Sequence, residues 1–149
     1  MKSSGKPYGV ADGDQSMVRC RLPSLGTKLM PDYEYRTIGF HQIEFDLKNP
    51  RHKPKQTPEQ VIKYLGEEER GVDLAVDIAE EAATNPMDLM GVFPKQGRKG
   101  PEAFVSAEGN RRLCALKLLH DPEKLPQDVK DRQRLLRRLQ KAADKYAPP

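Results

Sequence analysis

The residues best suited to chemistry lie in the segment AFVSAEGNRRLCALKLLH, residues 103–120. A run of strand-forming residues ends at Glu108. Gly109, Asn110 and the pair Arg111 and Arg112 follow, and then a leucine-rich helical pattern begins. A helix start carries partial positive charge on its free N–H groups and ordinarily favours acids. Arginines at that point suit a bound anion. Glycine lets a backbone approach phosphate closely, and the first amides of the helix point at it. Arginine adds a two-pronged set of hydrogen bonds to phosphate oxygens. Glu108 has the chemistry to hold a metal ion or to orient a water molecule. The residue types equally allow solvated arginines or arginines paired with protein carboxylates. Neither GxxxxGK[ST] nor GxGxxG occurs in the chain.

Other candidates are more dispersed. KNPRHKPKQTP, residues 48–58, is a basic, proline-rich loop whose Arg51, His52 and Lys53 either form a wall for phosphate or are solvated. Arg98 and Lys99 lie in a glycine-flanked turn, where they can touch a nucleic-acid backbone. His41 reads as a surface histidine, and His120 as a residue at a helix end, where its charge suits the dipole. The acidic run GEEERGVDLAVDIAEE spreads its carboxylates around a helix and reads as a solvated face. Cys20 and Cys114 form no CxxC or His/Cys cluster and read as free thiols, with Cys114 buried among leucines.

The elements that must position these groups follow from pattern. Residues 1–34 read as an irregular arm, rich in Gly, Pro, Ser and charge. YRTIGFHQIEFDL, residues 35–47, reads as one strand or two short ones. Thr57, Pro58 and Glu59 form a helix start, with Val61, Ile62 and Leu65 on its apolar face and Gly66 breaking the pattern. A second helix is expected over residues 72–84, ended by Asn85-Pro86. Strands over 88–94 and 103–107 flank a basic turn, and a helix over 110–120 follows. The last helix, 127–145, carries Lys130, Arg132, Arg134, Arg137, Arg138, Lys141 and Lys145 against Asp128, Asp131 and Asp144. Arg134, Arg137 and Arg138 are its candidates for contact with nucleic-acid phosphates, which would make binding salt-dependent.

FVSAEGNRRLCALKLL resembles the second conserved box of the ParB/sulfiredoxin fold family, in which a strand leads through a Gly-Glu-Arg-Arg type turn into a helix. IGFHQIEFDLKNPRHK resembles that family's opening strand and Asn-Pro-x-x-Arg loop. PEQVIKYL and VDLAVDIAEEA resemble its next helices, and LMGVFP stands where it has a strand before the box. The resemblance covers residues 35–120. It implies a phosphate or nucleotide site at Gly109, Arg111 and Arg112, with Arg51 nearby, and a nucleoside triphosphate (ATP or CTP) with Mg²⁺. By their own chemistry Asn110 joins that phosphate cradle and Glu108 is the candidate metal-holding or catalytic carboxylate. The resemblance implies DNA as a partner and either NTPase or nuclease activity in a bacterial or plasmid system. The alternative is a non-catalytic DNA-binding or partner-binding module of a partition, regulatory or defence system. Asn110 stands where segregation proteins have glutamate and sulfiredoxins their reactive cysteine, so sulfur-reducing chemistry is set aside.

Composition agrees with a modest core. The chain has 149 residues, 36% hydrophobic and 32% charged, with a formal net charge of +4. A mildly basic balance permits a nucleic-acid partner without requiring one. The expected architecture is a small α+β (mixed α/β) domain, a short mixed sheet with flanking helices. It is divided into an arm over 1–34, the ParB/sulfiredoxin-like domain over 35–126, and a basic C-terminal helix over 127–149 that serves as a linker to a further domain or as a homodimer contact. No apolar stretch reaches membrane-spanning length, the N-terminus lacks the apolar core of a secretory signal, and a cytoplasmic location is expected. Residues 121–149 are too few for a complete helix-turn-helix domain, as a sequence-specific segregation factor would need.

Overall fold

The computed structural model of the chain describes residues 17–23, 33–81, 89–97 and 99–146. They form a small mixed α+β protein with a five-stranded mixed sheet and four α-helices. Contacts divide it into two compact units. One comprises the chain up to Glu44 together with Asn85–Glu108. The other comprises Phe45–Thr84 and the chain from Gly109 onward.

The sheet has strands β1 (Met17–Pro23), β2 (Tyr33–Gly39), β3 (Ile43–Phe45), β4 (Met90–Pro94) and β5 (Phe104–Glu108), in the order β2-β1-β4-β5-β3. β1 and β2 pair antiparallel, from Met17 opposite Gly39 to Pro23 opposite Tyr33. β1 and β4 pair parallel through Cys20–Met90 and Arg21–Gly91. β4 and β5 pair antiparallel, with an irregularity where Gly91 meets Glu108 and Val92 meets Ser106. The strand at 17–23 corrects the expectation of an irregular arm over 1–34. MVRCRLP alternates strictly, so Val18, Cys20 and Leu22 go to the buried face while Arg19 and Arg21 go to the other. Residues 1–16 and 24–32 lie outside the described residues. The second of the two expectations for 35–47 holds: β2 and β3 are separated by a short 3₁₀ turn over Phe40–Gln42.

The helical unit contains α1 (Pro58–Glu67), α2 (Gly71–Glu81), α3 (Asn110–His120) and α4 (Arg132–Tyr146). Thr57 caps α1: its hydroxyl accepts the Gln60 N–H, and Pro58 stands at the first helical position. Gly66 does not break α1. It is buried inside the helix, and a Cβ there would reach Leu125 only at an ordinary 3.7 Å. Seven residues of α3 are buried: Asn110, Leu113, Cys114, Ala115, Leu116, Leu118 and Leu119. A helix apolar on nearly all sides belongs at the centre of its unit, and α3 packs against α1, α2 and α4. α4 is amphipathic instead. Leu136, Leu139, Ala142 and Tyr146 turn inward, and the Tyr146 ring meets His120 edge-on at 5.8 Å. Each fully buried leucine contributes about 1.5–3 kcal/mol by leaving water. α4 begins at Arg132, later than the expected 127, because the chain over 127–131 forms turns that end at Asp131, whose φ is 55°. Among the described residues, no helix is long and apolar enough to cross a membrane.

Candidate functional site

Gly109 begins α3 at φ 97° and ψ 17°, a conformation that side-chain-bearing residues rarely adopt. It supplies no side-chain cap, and no acid lies in the first turn of α3. The first amides of that helix therefore lack the side-chain acceptor a Ser, Thr or Asp cap would provide. Arg111 is exposed, and its guanidinium donates to the carbonyl of Arg70 at 3.5 Å. Arg112 is half-buried. Asn110 is buried at 8% exposure, and neither its amide nitrogen nor its amide oxygen has a hydrogen-bond partner. Leaving buried amide atoms unmatched costs about 1–3 kcal/mol per group, and native structures contain few of them.

Arg70, whose carbonyl meets Arg111, also lines a cavity of about 690 Å³ within the helical unit, a volume in the range of small-molecule sites. The cavity opens where α2 and α4 begin, and Arg70, Asp73, Lys130, Arg134 and Arg138 are among its walls. Arg70 and Asp131, each just before one of these helices, both have φ of 55°. Asp73 is held by two cations, Arg70 Nε at 2.8 Å and Arg138 at 2.9 Å. These guanidinium groups, Arg138 above all, keep its carboxyl below the usual carboxylate range. Glu67 accepts the Lys130 backbone N–H at 2.8 Å. The acidic run is thus partly engaged with cations and amides rather than simply solvated. The sequence reading missed the cavity because its walls come from two segments far apart in the chain.

The remaining candidates are dispersed. Glu108 ends β5 with its side chain 62% exposed and its carboxylate 3.7 Å from Arg21. Arg51 is exposed in a turn set by Asn49, whose side chain accepts the Arg51 N–H at 3.0 Å, and its carbonyl faces the Tyr64 hydroxyl at 3.5 Å. The neighbouring His52 packs its ring on Tyr64 at 5.3 Å. Lys99 is exposed beside Gly100, and Arg98 lies outside the described residues. Arg134 is 3.8 Å from Asp131, and Arg137 is exposed. Arg138 is committed to Asp73, so a phosphate would have to compete for it.

Both cysteines are free and buried. Burial pushes each thiol up to about 12. Among the described residues, no group of three or more His, Cys, Asp or Glu side chains is placed to hold a metal ion. No family model matches the chain, no curated protein matches it, and no solved structure matches it.

Proposed function

We propose that the chain is a nucleotide-binding, ParB-like protein that holds phosphate at the Gly109–Arg112 turn. The observation that carries this reading is the unmatched Asn110 amide at the first residue of a helix that has no side-chain cap and no first-turn acid. Phosphate oxygens would accept from the free amides of α3 and from the Arg111 and Arg112 side chains. The Asn110 amide nitrogen would gain an acceptor in a phosphate oxygen, while its amide oxygen would need a donor from the rest of the ligand. The cavity that Arg70 lines, about 690 Å³, has the volume for the remainder of a nucleotide, and Arg111 meets the Arg70 carbonyl.

The donor set suits a magnesium ion only in one mode. Glu108 is the single carboxylate next to the turn in sequence, and Arg21 already faces it at 3.7 Å. A magnesium that arrives on a triphosphate needs one or two protein carboxylates, its other ligands being phosphate and water. Glu108 is the residue proposed to meet it, and hydrolysis by an NTPase or nuclease route would depend on that carboxylate. A Glu108→Gln variant that binds nucleotide yet turns nothing over supports the hydrolytic form. A wild type that binds without turnover leaves the binding module as the function.

DNA is the proposed macromolecular partner, with the exposed side of α4 carrying Arg134, Arg137, Lys141 and Lys145. Neutralising about four phosphates gives a slope near −3.6 in a plot of log affinity against log salt, at about −0.9 for each phosphate. The test of the nucleotide reading is thermal melting with ATP, CTP or GTP, each with and without magnesium. A bound nucleotide at a hundred times its dissociation constant stabilises the native state by about 2.7 kcal/mol. Melting curves unmoved by every nucleotide at millimolar concentration would contradict the reading.

A further inference from the structure

The large hydrophobic side chains that the described residues expose are Tyr33, Tyr35 and Phe93, at 49%, 54% and 52%. All three belong to sheet strands, and the pairing registers put them on one face. Arg21 lies directly opposite Tyr35, and Arg19 opposite Thr37. Tyr33 is two residues from Tyr35, so it shares their side. Arg21 also pairs with Gly91 of β4, which places Phe93, two residues further on, on the same side. The alternate residues Val18, Cys20, Leu22, Met90 and Val92 are buried on the opposite face.

Arginine and aromatic ring alternate across this surface. The Arg21 guanidinium lies 4.7 Å from the Tyr33 ring centre, and that of Arg19 lies 5.8 Å from the Tyr35 ring centre. The Glu108 carboxylate lies 3.7 Å from the Arg21 guanidinium. Glu34 pairs instead with Arg36, on the side of β2 that faces Leu22 in the register. Half-exposed rings spaced along neighbouring strands, with guanidinium groups between them, match the two features an unpaired nucleic-acid strand presents. Bases stack on aromatic rings, and the phosphates between them are met by cations. A duplex offers only its backbone to such a face, because its bases are already stacked on one another.

We infer that this face of the sheet binds single-stranded nucleic acid, with bases stacked on Tyr33, Tyr35 and Phe93 and backbone phosphates met by Arg19 and Arg21. The inference stands on the strand unit alone and does not rest on the phosphate reading of the α3 turn. Stacking and phosphate contact do not require the 2′-hydroxyl, so DNA and RNA strands bind alike.

The test is fluorescence polarisation with labelled twelve-residue oligothymidine, oligouridine and a duplex of the same length, at low salt. Stacking is worth about 1–3 kcal/mol per base, or roughly 5- to 150-fold in affinity. The Tyr35→Ala, Phe93→Ala double variant is therefore expected to weaken single-strand binding by at least about 25-fold. A Tyr33→Phe, Tyr35→Phe variant keeps both rings and retains binding within a few-fold, which separates stacking from loss of fold. Arg19→Ala is expected to lower the salt slope by about one phosphate. The inference is overturned if neither single strand binds at 100 micromolar, in the range of weak non-specific association. It is overturned equally if the duplex binds as tightly, if one sugar is preferred by more than about tenfold, or if the alanine variant binds like wild type. Loss of binding in Arg111→Ala or Arg137→Ala, but not in the ring variants, would place the strand elsewhere. A wild-type dimer that the ring substitutions dissociate would make the face a contact between copies instead.

Discussion

The guanidinium of Arg111 donates to the backbone carbonyl of Arg70, 3.5 Å away. That carbonyl also accepts the Leu74 N–H at 3.2 Å, so it is part of the first turn of α2. One arginine of the candidate phosphate turn is therefore held against the start of another helix, and Arg70 itself lines the cavity at that point. The two segments meet closely. A Cβ on Gly71 would lie 3.1 Å from the Leu65 carbonyl oxygen and 3.6 Å from the Cys114 sulfur.

Asn110 yields a prediction with opposite signs for stability and binding. Replacing it with leucine, of similar size, removes two unmatched buried atoms and is expected to stabilise the protein by about 1 kcal/mol. The same change removes the amide proposed to meet phosphate and is expected to weaken nucleotide binding at least tenfold, a loss of about 1.4 kcal/mol. Urea unfolding read beside a nucleotide titration checks both. A variant that loses stability would mean that the amide is satisfied in solution without ligand.

Gly109 is expected to tolerate no side chain. At φ 97° an alanine is strained, and Gly109→Ala should cost about 1–3 kcal/mol in denaturant unfolding. Gly97, also at positive φ but with open space around a built Cβ, is the comparison: its alanine variant carries the backbone strain without α3 to displace, so any additional cost at Gly109 measures the helix start.

Acid should weaken the helical unit through Asp73. Arg138 and Arg70 hold its folded carboxyl below the usual range. The carboxyl therefore binds its proton more readily in the unfolded chain than in the folded one. Its stabilising contribution is present above the unfolded value of about 3.9 and is lost as pH falls through the lower folded value. Asp73→Asn is expected to be less stable at neutral pH and to lose stability less steeply between about pH 5 and pH 2. Parallel acid curves for the two proteins would refute the link.

Both thiols should be inert in the native state. Burial pushes Cys20 and Cys114 up to about 12, and the thiolate is the reactive form. Native protein at pH 8 is expected to leave a thiol reagent unreacted over minutes, and protein in denaturant to titrate two thiols. Rapid modification of a native thiol would show that its segment opens.

Much of the fold could be read from local chemistry. Thr57-Pro58 marked the start of α1, and Gly109 marked the boundary between β5 and α3, because caps and positive-φ glycines are local signals. β1 was obscured by its surroundings: its alternating Val18, Cys20 and Leu22 lie in a region whose Gly, Pro and charge content resembles an irregular arm. Gly66 illustrates the converse. A glycine expected to interrupt a helix is carried as a buried residue inside α1, where tertiary context overrides propensity. The turn at 108–112 was legible as a motif, whereas the cavity was not. Its walls join Arg70 and Asp73 to Lys130 and Arg138, and Arg138 pairs with an acid 65 positions away rather than standing free for phosphate.

Calorimetric titration of the wild type and of Arg111→Ala with ATP, CTP and GTP, each with magnesium, tests the proposed phosphate site most directly. Arg111 is exposed and its substitution should change stability by less than about 0.5 kcal/mol. Loss of binding would therefore report on the site and not on the fold. The prediction is that one nucleotide binds the wild type and that Arg111→Ala binds it at least tenfold more weakly, about 1.4 kcal/mol. Equal affinity in the two proteins, or no heat from any nucleotide at millimolar concentration, would contradict a phosphate site at the Gly109–Arg112 turn.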